Sequence, residues 1–120
     1  MAATNTWVGA TSDYNLLTNW SPPDGPPTVT AIFVDIDELL FATSLTFSSA
    51  STSVGAWTFN ADADEYDFTI ASSQAFTFQG TGITNASAND QDIFVDGNGT
   101  LTFNGASTAA NNTGTGGTII

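Results

Sequence analysis

The chain has 120 residues, with no Lys, Arg, His or Cys and a net charge of −12. That inventory excludes side-chain salt bridges, disulfides, Schiff-base lysines and any nucleophile paired with imidazole or thiolate. It also opposes nucleic acid as a partner, because phosphate contacts need Lys or Arg. A hydrophobic fraction of 41% with nine Phe and three Trp fits one domain with a single apolar core, and the abundance of Thr and aromatics favours strand over helix.

Residues 1–28 read as an N-terminal cap or lead-in. Met1-Ala2 opens a stretch without the basic region and apolar run of a signal peptide, as if an export signal had been replaced. The segment holds Trp7, Tyr14, Trp20 and all four prolines, Pro22, Pro23, Pro26 and Pro27, which interrupt hydrogen-bonded ladders. A short helical turn is expected from Ser12, with Ser12 as its cap. Trp7, Tyr14 and Trp20 admit two uses, a platform on which a sugar ring stacks or a cover over the open end of the core. The apolar runs of the chain, such as Ala31-Ile32-Phe33-Val34, are too short to span a bilayer.

From Val29 to Ile120 a pattern recurs. An x-Thr-Phe triplet occurs at Leu45-Thr46-Phe47, Trp57-Thr58-Phe59, Phe76-Thr77-Phe78 and Leu101-Thr102-Phe103. Alternation along a strand places the two apolar residues on one side and Thr on the other. A longer unit, FTIASSQAFTFQG from Phe68, returns as IFVDGNGTLTFNG from Ile93. Phe68 then corresponds to Ile93, Phe76 to Leu101, Phe78 to Phe103, and Gln79 to Asn104. Short strands repeating with their turn residues predict an all-β solenoid, a parallel β-helix of about three to four coils. Phe68, Phe76, Phe78, Ile93, Leu101 and Phe103 would form the core stack, with an amide ladder from Gln79 to Asn104. An antiparallel β-sandwich or jelly roll is the alternative built from the same short strands.

Two stretches carry a family resemblance. Trp7-x-Gly9, Asn19-Trp20, Pro26-Pro27 and Ile32-Phe33 resemble the lead-in of bacterial autotransporter passenger domains with autotransporter-associated β-strand repeats. Phe103-Asn104, Asn111, Gly116-Gly117 and Ile119 are similar to the repeats of such passengers and of polymorphic outer-membrane proteins. The resemblance implies a right-handed parallel β-helix that is exported and displayed at the bacterial cell surface. It also implies that Thr118-Ile119-Ile120 starts a further coil, so that the chain would be cut within a longer solenoid.

The acidic residues fall in three groups. Asp62, Asp64, Glu65 and Asp67 form one, Asp90, Asp92 and Asp96 a second, and Asp35, Asp37 and Glu38 a third. Carboxylates with nearby carbonyls are the ligand set of calcium, which takes about six to eight oxygens. Either of the first two groups is a candidate calcium site, and a solvated acidic turn is the alternative. Four Asn-x-Ser/Thr sequons begin at Asn19, Asn85, Asn98 and Asn111. Thr rows on β-helices also resemble ice-binding faces, although this one is irregular.

These features predict a non-catalytic, extracellular or cell-surface structural module with an adhesin-like role and no membrane insertion. Its partners would be neighbouring coils, other copies of itself, or a surface glycan or protein receptor. The alternatives are a filament subunit joined end to end through the strand edge at Thr118, Ile119 and Ile120, and a carbohydrate-binding module.

Overall fold

In β3, β6 and the first half of β7 alternate residues are apolar and buried, and the same phase recurs one coil later where Phe33 meets Phe59 and Phe68 meets Ile93. The computed structural model describes residues 3–37 and 41–120. It contains β1 (Thr4–Trp7), β2 (Trp20–Ser21), β3 (Thr30–Phe33), β4 (Ser44–Leu45), β5 (Ser51–Phe59), β6 (Asp67–Ile70), β7 (Ala75–Asn85), β8 (Gln91–Val95), β9 (Thr100–Phe103), β10 (Thr108–Asn112) and β11 (Thr118–Ile119). Two parallel stacks run through them. One has the order β10-β7-β5-β3-β1-β2 with β9 also on β7, and the other β11-β8-β6-β4. All these pairings are parallel except β1 with β2. The fold is a parallel β-solenoid of about four turns. Parallel pairing from coil to coil excludes the antiparallel sandwich or jelly roll.

β5 and β7 each serve two faces. The first half of β7 carries β9 and the second half carries β10. The register of β5 on β7 shifts between Val54 and Ala56, where the chain turns a corner. Glycine is required there: a Cβ on Gly55 would lie 2.5 Å from the Val29 carbonyl oxygen, and one on Gly80 would lie 2.7 Å from that of Gly55. With the β4-β6-β8-β11 stack, this gives three faces.

The repeat read from sequence is the repeat of the structure. Phe68 pairs with Ile93, Phe76 with Leu101 and Phe78 with Phe103. The Phe78 and Phe103 rings stack at 4.9 Å with 15° between planes. Phe68, Phe76, Phe78 and Ile93 are buried, while Leu101 and Phe103 are half-buried and pack against the core from its C-terminal side. No amide ladder joins Gln79 to Asn104 among the described residues. Gln79 and Asn104 are exposed, and the Asn104 backbone N–H donates to the Phe78 carbonyl instead. The Thr positions of the triplets, Thr46, Thr58, Thr77 and Thr102, are all exposed or half-buried, as alternation requires.

The N-terminal residues close one end. β1 is a rung, parallel to β3, and β2 returns antiparallel along its outer edge. The backbone at Ser12–Tyr14 covers the edge beside β4 through Thr46 N–H to Ser12 O and Tyr14 N–H to Thr46 O, both 2.9 Å. No helical turn starts at Ser12, because its carbonyl serves this bridge. The turn is a 3-10 segment at Leu17–Asn19, without a side-chain cap. Trp7, Tyr14 and Trp20 are buried, with Trp20 edge-on to both Trp7 and Tyr14 at about 5 Å. Each indole N–H is satisfied: Trp7 donates to Ala42 O, Trp20 to Tyr14 O, and Trp57 to the Tyr14 hydroxyl. These rings cover the core end. Buried in this way, they offer no face on which a sugar ring could stack.

Candidate functional site

Three features have chemistry beyond packing: the carboxylates, a network of buried amides, and the contrast between the two ends.

Stacking redistributes the carboxylate groups that looked local in sequence. Tyr66, just before β6, and Phe68 on it point inward, so Asp67 points outward, and its partner one coil later is Asp92. Glu65 joins them, and the three offer oxygens within 4.8 Å of one another. This set takes two members from the first acidic group and one from the second. Asp62 and Asp64 turn instead toward Asp35, and the Asp64 carboxylate accepts the Ile36 N–H at 2.9 Å. Asp90 accepts the Gly117 N–H at 2.9 Å, tying one turn to the next. Asp96 opens the turn to β9, where its carbonyl accepts the Gly99 N–H. Asp37 lines a cavity of about 320 Å³ with Asp35, Trp7, Val8, Ile36 and Phe41 among its walls. Glu38 lies outside the described residues.

Like charges so placed cost stability. One oxygen each of Asp67 and Asp92 is shielded from solvent and has no hydrogen-bond partner. Partial burial, then the charge of Asp67, raises the Asp92 pKa above its ordinary value. Asp35 is raised as well, chiefly by the charge of Asp64. Glu65, Asp67 and Asp92 are the residues that could hold a hard cation. Three carboxylates fall short of calcium's ligand number, so carbonyls or water would have to complete the shell.

A prediction follows for pH. The folded chain binds a proton at Asp92 more readily than the unfolded chain does. Stability is therefore lower above the raised pKa and recovers as pH falls through it toward the ordinary carboxylate range. Asp67→Asn removes the facing charge and supplies an N–H donor to Asp92. Thermal melting should show the variant a few degrees more stable at neutral pH, with the gap narrowing on acidification. A gap that is absent at neutral pH, or that does not change with pH, contradicts this account.

The buried amides knit the corner between β7 and β8. Asn85 is fully buried, and its Nδ2 donates to Asn89 O at 2.9 Å and Gly117 O at 3.0 Å. Its Oδ1 accepts from the Ser87 N–H and hydroxyl. Gln91 accepts the Tyr66 N–H at 2.8 Å and donates to Asp64 O at 2.9 Å. Each amide bonds to neighbouring coils, and neither is free to meet a ligand. At the other end Asn5 donates to Pro22 O and to the Asp24 carboxylate, both at 2.8 Å, holding the proline segment over the core.

The sequons divide accordingly. Asn19 and Asn85 are fully buried and hydrogen-bonded, so the folded chain cannot present them for glycosylation. Asn98 uses its Oδ1 to accept the Ser73 N–H, at 2.7 Å, and Asn111 is exposed on the outer face of β10.

The ends contrast sharply. β2 covers β1, whereas β9, β10 and β11 have no strand on their outer edges among the described residues. Thr118 and Ile119 pair with Gln91 and Asp92 on their inner side, and Ile119 and Ile120 are 53% and 61% exposed.

Asn85, Gln91 and Asn5 carry roles that the sequence reading missed. The available signal was phase: Asn85 occupies the inward position held by Phe33 and Phe59 in earlier coils, and Gln91 that of Tyr66. Comparison with known protein families, with curated proteins and with solved structures finds no match to this chain.

Proposed function

We propose that the chain is a non-catalytic structural module of an exported surface protein, a stiff solenoid segment that supports or presents its neighbours. The observation that carries this reading is where the polar chemistry is used. Buried Asn85 and Gln91 serve coil-to-coil bonding, while the outward residues of the four triplets, Thr46, Thr58, Thr77 and Thr102, are exposed or half-buried. No side chain competent as imidazole, thiolate or amine catalyst exists in the chain. Asp67 and Asp92 are register partners on neighbouring coils, and the charge of Asp67 helps raise the Asp92 pKa.

The surface location rests on the resemblance of Trp7-x-Gly9, Asn19-Trp20 and Phe103 to Ile119 to passenger repeats. Antibody to an epitope-tagged protein should label intact producing cells, and protease added from outside should abolish that labelling. Signal only after permeabilisation overturns the surface reading. Turnover of ester, glycoside or peptide substrates by the pure chain overturns the non-catalytic one.

Of the two alternatives, sugar binding loses its platform with the burial of Trp7, Tyr14 and Trp20. Head-to-tail filaments need a free edge at both ends, and at the N-terminal end β2 lies along β1 and Ser12–Tyr14 beside β4, which leaves only the Ser51–Val54 half of β5 without a strand on that side among the described residues.

A further inference from the structure

One corner of the solenoid differs in length from coil to coil. Phe33, Phe59 and Asn85 are register partners on one side of it, and Ser44, Asp67 and Asp92 on the other. The passage is 11 residues from Phe33 to Ser44, 8 from Phe59 to Asp67 and 7 from Asn85 to Asp92. The two shorter passages are filled by their own buried side chains. Tyr66 donates its hydroxyl to Val34 O, and Asn85 and Gln91 bond to nearby carbonyls. The longest passage instead borders the cavity of about 320 Å³. Its backbone is tied down on both sides. Ile36 N–H donates to the Asp64 carboxylate at 2.9 Å. Ala42 donates its N–H to Gly9 O and accepts the Trp7 indole N–H, both at 2.8 Å. Among the described residues the wall is apolar at Trp7, Val8, Val34, Ile36 and Phe41 and carries carboxylates at Asp35 and Asp37. These residues belong to β1, to Val8 and to this corner, so neither terminus of the chain bounds the cavity.

We propose that this cavity binds a small organic ammonium ion, a primary or quaternary amine carried on a compact apolar body. The inference goes beyond the structural-module reading and does not depend on it. The walls select the body. A concave, mostly apolar site with a few placed polar groups is the usual form of a small-molecule pocket. At about 320 Å³ this one lies at the small end of the usual range of about 300–1,000 Å³, so it suits a single ring or a short chain. A hard metal ion would need about six or more oxygens, which this wall does not offer. The carboxylates select the charge. The chain has no Lys, Arg or His, so the negative charge at this corner has no cationic side chain to meet it. Asp35 lies beside Asp64, whose charge is the chief cause of its raised pKa, and Asp62 and Asp37 add to it. A bound ammonium ion brings the opposite charge into that field, whereas an anion is repelled. Trp7 and Phe41 add aromatic rings, which attract cations through their faces.

The test is calorimetric titration of the full chain with benzylammonium as the probe. The expected result is one saturable site. Benzyl alcohol, the same body without the charge, should bind at least tenfold more weakly, and ammonium ion, the charge without the body, should not saturate. Asp35→Asn should weaken benzylammonium at least tenfold. Val8→Trp adds bulk at the wall without touching a charge and should abolish binding. Asp92→Asn removes a carboxylate on β8, away from the cavity, and should leave the affinity unchanged. Near-UV circular dichroism identifies any variant that has lost its fold, and the other cavity variant then carries the test. Absence of saturable binding at millimolar probe overturns the proposal, as does equal affinity for the alcohol. Equal losses in Asp35→Asn and Asp92→Asn overturn it too, because the probe would then answer to net charge alone. None of these failures would alter the surface-labelling result, so they are distinct from failure of the structural-module reading.

Discussion

Trp57→Ala is expected to cost about 3–5 kcal/mol, the range for emptying a buried aromatic site. Trp57 sits on the middle rung and is fully buried. Its ring stacks on Phe68 across the core at 4.1 Å, and it meets Phe76 and Phe78 at 4.9 Å and Phe33 at 5.8 Å. Tyr14 lies within 6.1 Å and accepts the indole hydrogen bond at 3.1 Å. The substitution therefore removes contacts to three coils and orphans a hydroxyl that is itself buried. That loss is a large share of a net stability on the order of 5–15 kcal/mol. Urea unfolding should show the midpoint fall with a large decrease in extrapolated free energy. Trp57→Phe should recover a substantial part of it, since the ring stack survives and only the bond to Tyr14 is lost. A cost below about 1 kcal/mol, within the range of ordinary surface substitutions, would mean that the ring does not hold the coils together.

Gly82→Val should produce the second large effect, confined to one end. Gly82 has φ of +87°, a conformation β-branched residues avoid, and a Cβ there would fall 2.1 Å from the Thr108 carbonyl oxygen and 2.6 Å from its nitrogen. Both contacts are backbone, so no rotamer change relieves them, and β10 must move off β7. Backbone strain alone costs on the order of 1–3 kcal/mol, and loss of the β10 pairing adds to it. Hydrogen exchange should show protection lost in residues 108–119 and retained in β3, β5 and β6. Uniform protection in the variant would contradict the close approach at Thr108.

Much of this scaffold was legible in the residues themselves. The correspondence of Phe68 to Ile93 and of Phe78 to Phe103 depends only on alternation and on a repeat that preserves its turn, and both survive in sequence. The coil length is harder to read, because it varies from 23 residues between Leu45 and Phe68 to 27 between Gln91 and Thr118, and is 33 between Asp13 and Thr46. A fixed period therefore fails to align the first coil, and β1 looked like lead-in although it is a rung. The acidic ladder was hidden for the same reason. Asp62 to Asp67 are neighbours in the chain, yet alternation and the corner send Asp64 toward Asp35 and Asp67 toward Asp92. Only the register between β6 and β8 joins Asp67 to Asp92. Asn85 was singled out only as a sequon and Gln91 not at all, because polarity ordinarily means solvent. In a stacked fold, an inward amide can instead satisfy the backbone groups that each corner leaves unpaired.

The one-sided cover has a further bearing on how the molecule holds together in time. Each coil touches only the coils above and below it, so its hold is the sum of its own cohesion and that of its immediate neighbours. At the end covered by β2, Trp7, Tyr14 and Trp20 lay rings over the core, and Trp57 on the middle rung joins them through its bond to Tyr14. Among the described residues β9, β10 and β11 are each held by one neighbouring strand and β3, β5 and β6 by two, so amide exchange should be slowest in the latter three.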